Sequence, residues 1–318
     1  MTRISTVLLT SVLSIASATM FAEPQSYLDM DNGYKWYRVT SRVFMNGPVV
    51  SLKQSSQVLK HINTYQLGGR GQWTFYDTAF IRASGHYGWT WDGRYKEATF
   101  KGNAKGHTYD VDGALGYYFC VYDLNRLVPP PDPAVELTKT DKRTPSLWIA
   151  PIFGWSFDSL NVKGENMRAK LTGEQFNNLN NINARQQLNG PFLGVDILFQ
   201  LKSFTEFLFA YEFHYASWHG NRIIKGADYG HPPFGYTTGF SNKRHMNGVV
   251  GNVFKLTNSY TFSDTWKLGA ELKYQFYSGD NGKYKQTKTP ISPLITYKEV
   301  NQFWWLSFGM TIFVGGVF

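Results

Sequence analysis

The chain closes on "WWLSFGMTIFVGGVF" (residues 304–318), in which large and small side chains alternate. The even positions Trp304, Leu306, Phe308, Met310, Ile312 and Val314 are apolar, interrupted only at Gly316, while Ser307, Gly309, Thr311 and Gly315 occupy odd positions. A period of two describes a strand with one apolar and one plain face. So apolar a strand at the end of a chain is an aggregation hazard unless its face is covered and its edge paired. Lipid against the face, and a first strand against the edge, meet both needs.

The other end points to the compartment. "MTRISTVLLTSVLSIASATMFA" (1–22) has an early cation, Arg3, an apolar stretch centred on Val7 to Ile15, then small residues. It reads as a secretory signal peptide, cleaved after Ala22 or Ala18. Beyond it, no run approaches the roughly 20 apolar residues of a membrane helix. A single cysteine, Cys120, excludes an internal disulfide framework.

Composition narrows the class. Aromatics make up 17% of the chain (20 Tyr, 24 Phe, 10 Trp), and charged residues only 17%, below the roughly 25% of soluble domains. With 30 glycines and no long helical pattern, this describes an all-β transmembrane barrel, whose strands are apolar on one face only. The formal charge of +9 falls by one when Arg3 leaves with the signal peptide.

Alternation recurs along residues 23–318, which read as one barrel domain. In "WKLGAELKYQF", Trp266, Leu268, Ala270, Leu272, Tyr274 and Phe276 oppose Lys267, Glu271, Lys273 and Gln275. "FLFAYEFHY" sets Phe207, Phe209, Tyr211, Phe213 and Tyr215 against Glu212 and His214. Val195, Ile197 and Phe199 oppose Asp196, Gln200 and Lys202. Tyr109, Val111 and Leu115 oppose Asp110 and Asp112. Ile81, Tyr87, Trp89 and Trp91 oppose Arg82 and His86. A soluble sandwich would have to bury these charges, at high cost. Ten antiparallel strands are expected near 34–46, 60–75, 78–91, 107–121, 146–157, 192–202, 205–218, 248–261, 265–278 and 302–318, with eight and twelve as alternatives. Short turns at 76–77, 203–204 and 262–265 alternate with long polar connections at 92–106, 158–191, 219–247 and 279–301, the asymmetry of periplasmic turns and extracellular loops. The Pro-rich segment 122–145, with "VPPPDP", breaks that rule, yet it can only be a loop.

In layout the chain resembles the ten-stranded omptin barrel, and "GPFLGVDILFQLKSFTEFLFAYEFHYASW" (190–218) is similar in pattern to an omptin hairpin. Its aromatic richness, size and basic charge over 23–318 more closely resemble the Protochlamydia outer membrane protein family, porin-like proteins of the outer membrane. The omptin resemblance implies a protease with an Asp–Asp pair and an Asp–His pair two residues apart. Here Asp228 and His231 are three apart, His219 has no acidic neighbour, and Asp92 stands alone among Arg94, Lys96, Lys101 and Lys105. No catalytic residues are therefore assigned, and no cofactor. The histidines are scattered and there is no HExxH, so no metal site is assigned either. The aromatics sit at lipid-facing positions and do not form a nucleic-acid surface.

The expected function is a porin-like channel for small hydrophilic solutes in the bacterial outer membrane. Its expected partners are the lipid bilayer, lipopolysaccharide and barrel-assembly machinery. Surface adhesion through the long loops, or a structural barrel with a plugged lumen, is the alternative. Expected lumen residues are Arg38, Arg42, Arg70, Arg82, His86, Asp110, Asp112, Asp196, Lys202, Glu212, His214, Lys255, Lys267, Glu271 and Lys273. Eight Lys and Arg against five Asp and Glu imply an anion preference. Expected lipid-facing residues are Phe207, Phe209, Tyr211, Phe213, Trp266, Leu268, Phe308, Met310, Ile312 and Phe318. An arginine at Phe209 should cost about 2–4 kcal/mol, and one at lumen-facing Ala210 far less. Size works against a wide channel, because about eight strands leave an interior filled by side chains and aqueous channels need roughly 16–18.

Overall fold

The computed structural model describes residues 24–43, 55–76, 78–97, 100–123, 145–170, 173, 182–202, 205–224, 240–263, 265–288 and 295–318. The expected signal peptide and most of the Pro-rich connection lie outside the described residues, as do Asp228 and His231. Every regular element described is a strand: β1 (Tyr27–Val43), β2 (Ser55–Phe75), β3 (Ala79–Lys96), β4 (Phe100–Tyr117), β5 (Phe119–Asp123), β6 (Ser146–Ala169), β7 (Ile182–Lys202), β8 (Thr205–Ile224), β9 (Phe240–Thr261), β10 (Trp266–Gly279), β11 (Gly282–Lys288) and β12 (Ile295–Val317).

Twelve segments make ten barrel strands. β5 continues β4 past a break at Tyr118, and β6 pairs with both. β11 continues β10 past Asp280 and Asn281, and both lie between β9 and β12. Asn281 has φ of 63°, a left-handed conformation that asparagine adopts more readily than most residues. Neighbours in sequence are neighbours in the sheet, all pairs are antiparallel, and β12 closes on β1 from Tyr27↔Val317 to Val43↔Val300. Closure removes both sheet edges, which answers the hazard posed by the apolar C-terminal strand.

Crossing a bilayer takes about 9–11 residues per strand, yet β6 has 24 and β12 has 23. The surplus lies at the long-loop end. Much of the expected loops 92–106, 158–191, 219–247 and 279–301 is paired strand, up to Lys96 on β3 and from Phe100 on β4. The reason is a reversal of faces. Low on β6, Phe153 and Trp155 point outward and Ser156 and Asp158 inward; higher up, Asn161 and Lys163 point outward and Leu160 and Val162 inward. β7 and β8 do the same, with Ile182, Ala184, Leu188, Ala216 and Trp218 inside. Lipid demands an apolar exterior, and water above the membrane demands a polar one, so the alternation continues with its faces exchanged.

Two aromatic belts bracket the lipid-facing band. Tyr34, Tyr65, Tyr87, Trp89 and Trp91 are exposed toward the outer end, and Trp73, Tyr117, Tyr260, Phe262, Trp266 and Phe318 toward the termini. Such amphipathic rings belong at the two membrane interfaces.

Candidate functional site

The barrel's mid-lumen holds an ionic network assembled from nine strands. Lys35 on β1 donates to Asp110 on β4 at 3.1 Å and lies 3.7 Å from Asp158 on β6. Gln66 Nε2 donates to the other Asp110 oxygen at 3.0 Å. Lys273 stands 3.8 Å from Asp110 and 3.6 Å from Asp112, and Lys255 stands 3.6 Å from Asp112 and 2.7 Å from Glu212. Arg82 bridges Glu212, at 2.9 Å, and Asp196. Nearer the termini, Arg70 contacts Asp29 at 3.0 Å and Glu271 at 2.6 Å, with Lys267 at 3.4 Å from Asp29. His86 lies 3.0 Å from Asp31. Charges desolvated to this degree persist only when paired. Lys35 is 2% exposed and Asp196 0%.

Within this network Ser156, His214 and Glu212 form a relay. Ser156 Oγ is 3.0 Å from His214 Nδ1, and His214 Nε2 is 3.1 Å from Glu212. A hydroxyl, an imidazole and an orienting carboxylate are the parts of an activated nucleophile. Other features divert them. The Tyr277 hydroxyl shares His214 Nδ1 at 3.3 Å, Arg82 and Lys255 share Glu212, and Phe192 stacks on the imidazole at 4.7 Å. All three residues are buried in packed surroundings.

Apolar layers enclose the network on both sides. Toward the outside, twenty residues form one buried cluster, including Tyr37, Ile62, Trp218, Tyr277, Phe303 and Trp305. Trp218 stacks on Phe303 at 4.4 Å, and Tyr37 meets Trp305 edge-on at 5.7 Å. Above it lies a polar rim in which Arg222 pairs with Glu97 and Arg244 bonds Ser41. Toward the termini, Phe80, Tyr118, Trp148, Ile152, Phe192 and Leu198 form a second cluster. Beside it a recess at the mouth nearest the termini is lined by Tyr27, Arg70, Gln72, Thr257 and Lys267.

Of the residues expected in the lumen, Arg70, Arg82, His86, Asp110, Asp112, Asp196, Glu212, His214, Lys255, Lys267, Glu271 and Lys273 come together in this network. The side chain of Lys202 lies outside the described residues. Arg38 and Arg42 are placed differently: both are exposed on the outer wall, opposite Leu306 and Gln302, and Arg42 lies over the Trp304 ring at 5.0 Å. They sit where the faces have exchanged, so their strand positions carry charge outward. The sequence reading omitted Lys35, Asp29, Asp31 and Asp158. Lys35 alternates with Tyr34 and Trp36, a signal masked by Tyr37 and Val39 on its own face. The network thus sets six lysines and arginines (Lys35, Arg70, Arg82, Lys255, Lys267, Lys273) against eight carboxylates, and the expected basic excess is absent from it. Phe207, Phe209, Phe213, Trp266, Leu268, Phe308, Met310, Ile312 and Phe318 are exposed on the outer wall, and Tyr211 is partly covered there by Phe254. Asp92 is also on the outside, accepting from Asn63 at 3.3 Å.

The family model described as Protochlamydia outer membrane protein matches residues 29–318. No curated protein matches the sequence. Among solved structures, the outer membrane protease OmpT from Escherichia coli superposes with a TM-score of 0.65 at 11% identity, covering 95% of this chain and 99% of that one. The translocator domain of the autotransporter NalP from Neisseria meningitidis gives 0.33 at 10% identity, over 99% and 95% of the two chains. Ail of Yersinia pestis gives 0.27 at 8%, over 93% and 100%. At these identities the likeness to OmpT speaks for the ten-stranded fold alone.

Proposed function

The chain belongs to the Protochlamydia outer membrane protein family, and on that premise we propose that this outer-membrane barrel is shut along its lumen and acts at its outer end, as a rigid mount for surface hairpins. One observation carries the reading. The strands run far beyond the length a bilayer needs, and the added length encloses an apolar core of twenty residues. That is how a projecting folded body is built, with polar walls facing water, and a diffusion pore has no use for it. Most lumen side chains of the described strands are buried, and ten strands leave little width for a water column, which supports the closed reading. Export by residues 1–22 and insertion by barrel-assembly machinery belong to the same reading. It assigns no catalysis, because the Ser156 relay is sealed from any substrate.

The recess beside Arg70 and Lys267, open to the mouth nearest the termini and adjoining the ionic network, favours a second reading as a narrow solute channel. Purified protein in a planar bilayer under a salt gradient separates the two. A silent membrane supports the closed barrel. Discrete conductance supports the channel, and cleavage of dibasic peptides would replace both with an omptin-like protease.

A further inference from the structure

We propose that the outer wall holds a site for a divalent transition-metal ion of the imidazole-seeking kind, between His219 on β8 and His245 on β9. The two residues stand directly opposite each other in the antiparallel register. Their ring centroids lie 4.2 Å apart, with 44° between the planes. Their inward neighbours Trp218 and Met246 belong to the upper apolar core, so the period of two turns both imidazoles outward, above the lipid-facing band. An ion in the surrounding water can therefore reach them. In the sequence the two histidines are far apart, and only the β8–β9 pairing brings them together.

The geometry suits a shared ligand. Zn²⁺ binds imidazole nitrogen at about 2.0–2.1 Å, so two nitrogens on one ion stand about 3–3.5 Å apart. Rings this close and this tilted bring their nitrogen edges into that range after small side-chain rotations. His245 Nδ1 is shielded from solvent and has no hydrogen-bond partner among the described residues, although buried polar atoms are as a rule partnered. An ion held between the rings supplies that partner. Lys283 opposes His245 on its other side, but its side chain is exposed, and a flexible four-carbon stem keeps that charge in water. Neutral imidazole is a ligand for Zn²⁺, Cu²⁺ and Ni²⁺, whereas Mg²⁺ and Ca²⁺ take oxygen. Two histidines leave the remaining coordination positions to water, which makes the site open and exchangeable. It stands on the outer wall whether the lumen is shut or open.

The test uses the full-length protein without a polyhistidine tag, in detergent micelles, titrated calorimetrically with Zn²⁺ and separately with Mg²⁺. Zn²⁺ should bind at a single site per chain, and Mg²⁺ should give no saturable heat. His219→Gln and His245→Gln, each checked for heat-modifiable migration, should each weaken Zn²⁺ about tenfold or more. His61→Gln, at an exposed histidine of β2, should leave the affinity unchanged. In the unmodified protein, Zn²⁺ should slow diethyl pyrocarbonate modification of His219 and spare that of His61, a readout that needs no variant. Zn²⁺ binding that survives both substitutions, that falls equally in His61→Gln, or that leaves His219 fully reactive would overturn the proposal. So would the absence of Zn²⁺ binding, or saturable binding of Mg²⁺ at the same concentration.

Discussion

Lys35 carries more of the lumen's stability than its single charge suggests, because two carboxylates depend on it and all three side chains are buried. Lys35→Met should cost about 3–5 kcal/mol, read from the urea midpoint in detergent, because it leaves Asp110 and Asp158 short of a buried partner. Adding Asp110→Asn should recover part of that loss; no recovery would mean the pair is not coupled. Above the membrane, His219 faces His245 across β8 and β9 with ring centroids 4.2 Å apart. Partial burial, and then the neighbouring imidazole, hold His219 below its ordinary value of 6.5. On acidification the unfolded chain takes up its proton first, so stability is full above that value and is lost as pH falls below it. His219→Gln should gain on the unmodified protein at about pH 5 and not at about pH 8. Identical pH slopes would contradict the pairing. At Phe209 an arginine faces lipid and should cost about 2–4 kcal/mol. The expectation that Ala210 tolerates arginine fails on packing, since Ala210 is 1% exposed and lies between Asp196 and Lys255. Overpacking and repulsion from Lys255 should make the two penalties comparable.

Each long strand is two strands in one, and this divides what was legible in the sequence from what was not. The membrane-level alternation could be counted directly in "FLFAYEFHY" and "WKLGAELKYQF", because lipid makes one face uniformly apolar. The upper halves, such as "LNVKGENMRA" (160–169) and "INARQQLNG" (182–190), keep the period of two but carry small or single apolar residues among charges, so they resemble loops. Following the period with its faces exchanged would have found Leu160, Val162, Ile182 and Ala184, and would have moved Arg38 and Arg42 outside. The tertiary network itself was not legible, because which charges meet depends on strand stagger around a closed circle. Some of the glycines, unexplained by alternation, are places where lumen rings fit. A methyl group at Gly251 would press into the Tyr277 ring, and one at Gly269 into Phe313. Gly251→Ala should therefore cost about 1–3 kcal/mol, measured by thermal melting of the β signal. A neutral result would mean the ring has room to move. Trp305→Ala empties the apolar layer and should cost about 3–5 kcal/mol.

Taken together, the ten strands form a cylinder whose lower half meets lipid outside and charge inside, and whose upper half meets water outside and apolar core inside. Among the described residues both interiors are lined by buried side chains, which is what the proposed closed barrel requires. Solvent access inside the lumen decides the matter. With Cys120 replaced by serine, single cysteines at Ala150, Ala210, Ala216 and Ser307, all buried in the lumen, can be exposed to a membrane-impermeant methanethiosulfonate. Ile81→Cys and Trp73→Cys on the exposed wall serve as labelling controls in detergent. A filled lumen predicts that the four interior thiols stay unmodified in the folded barrel and react only after heat unfolding; rapid labelling of all four in the folded protein would show a water-filled channel and contradict it.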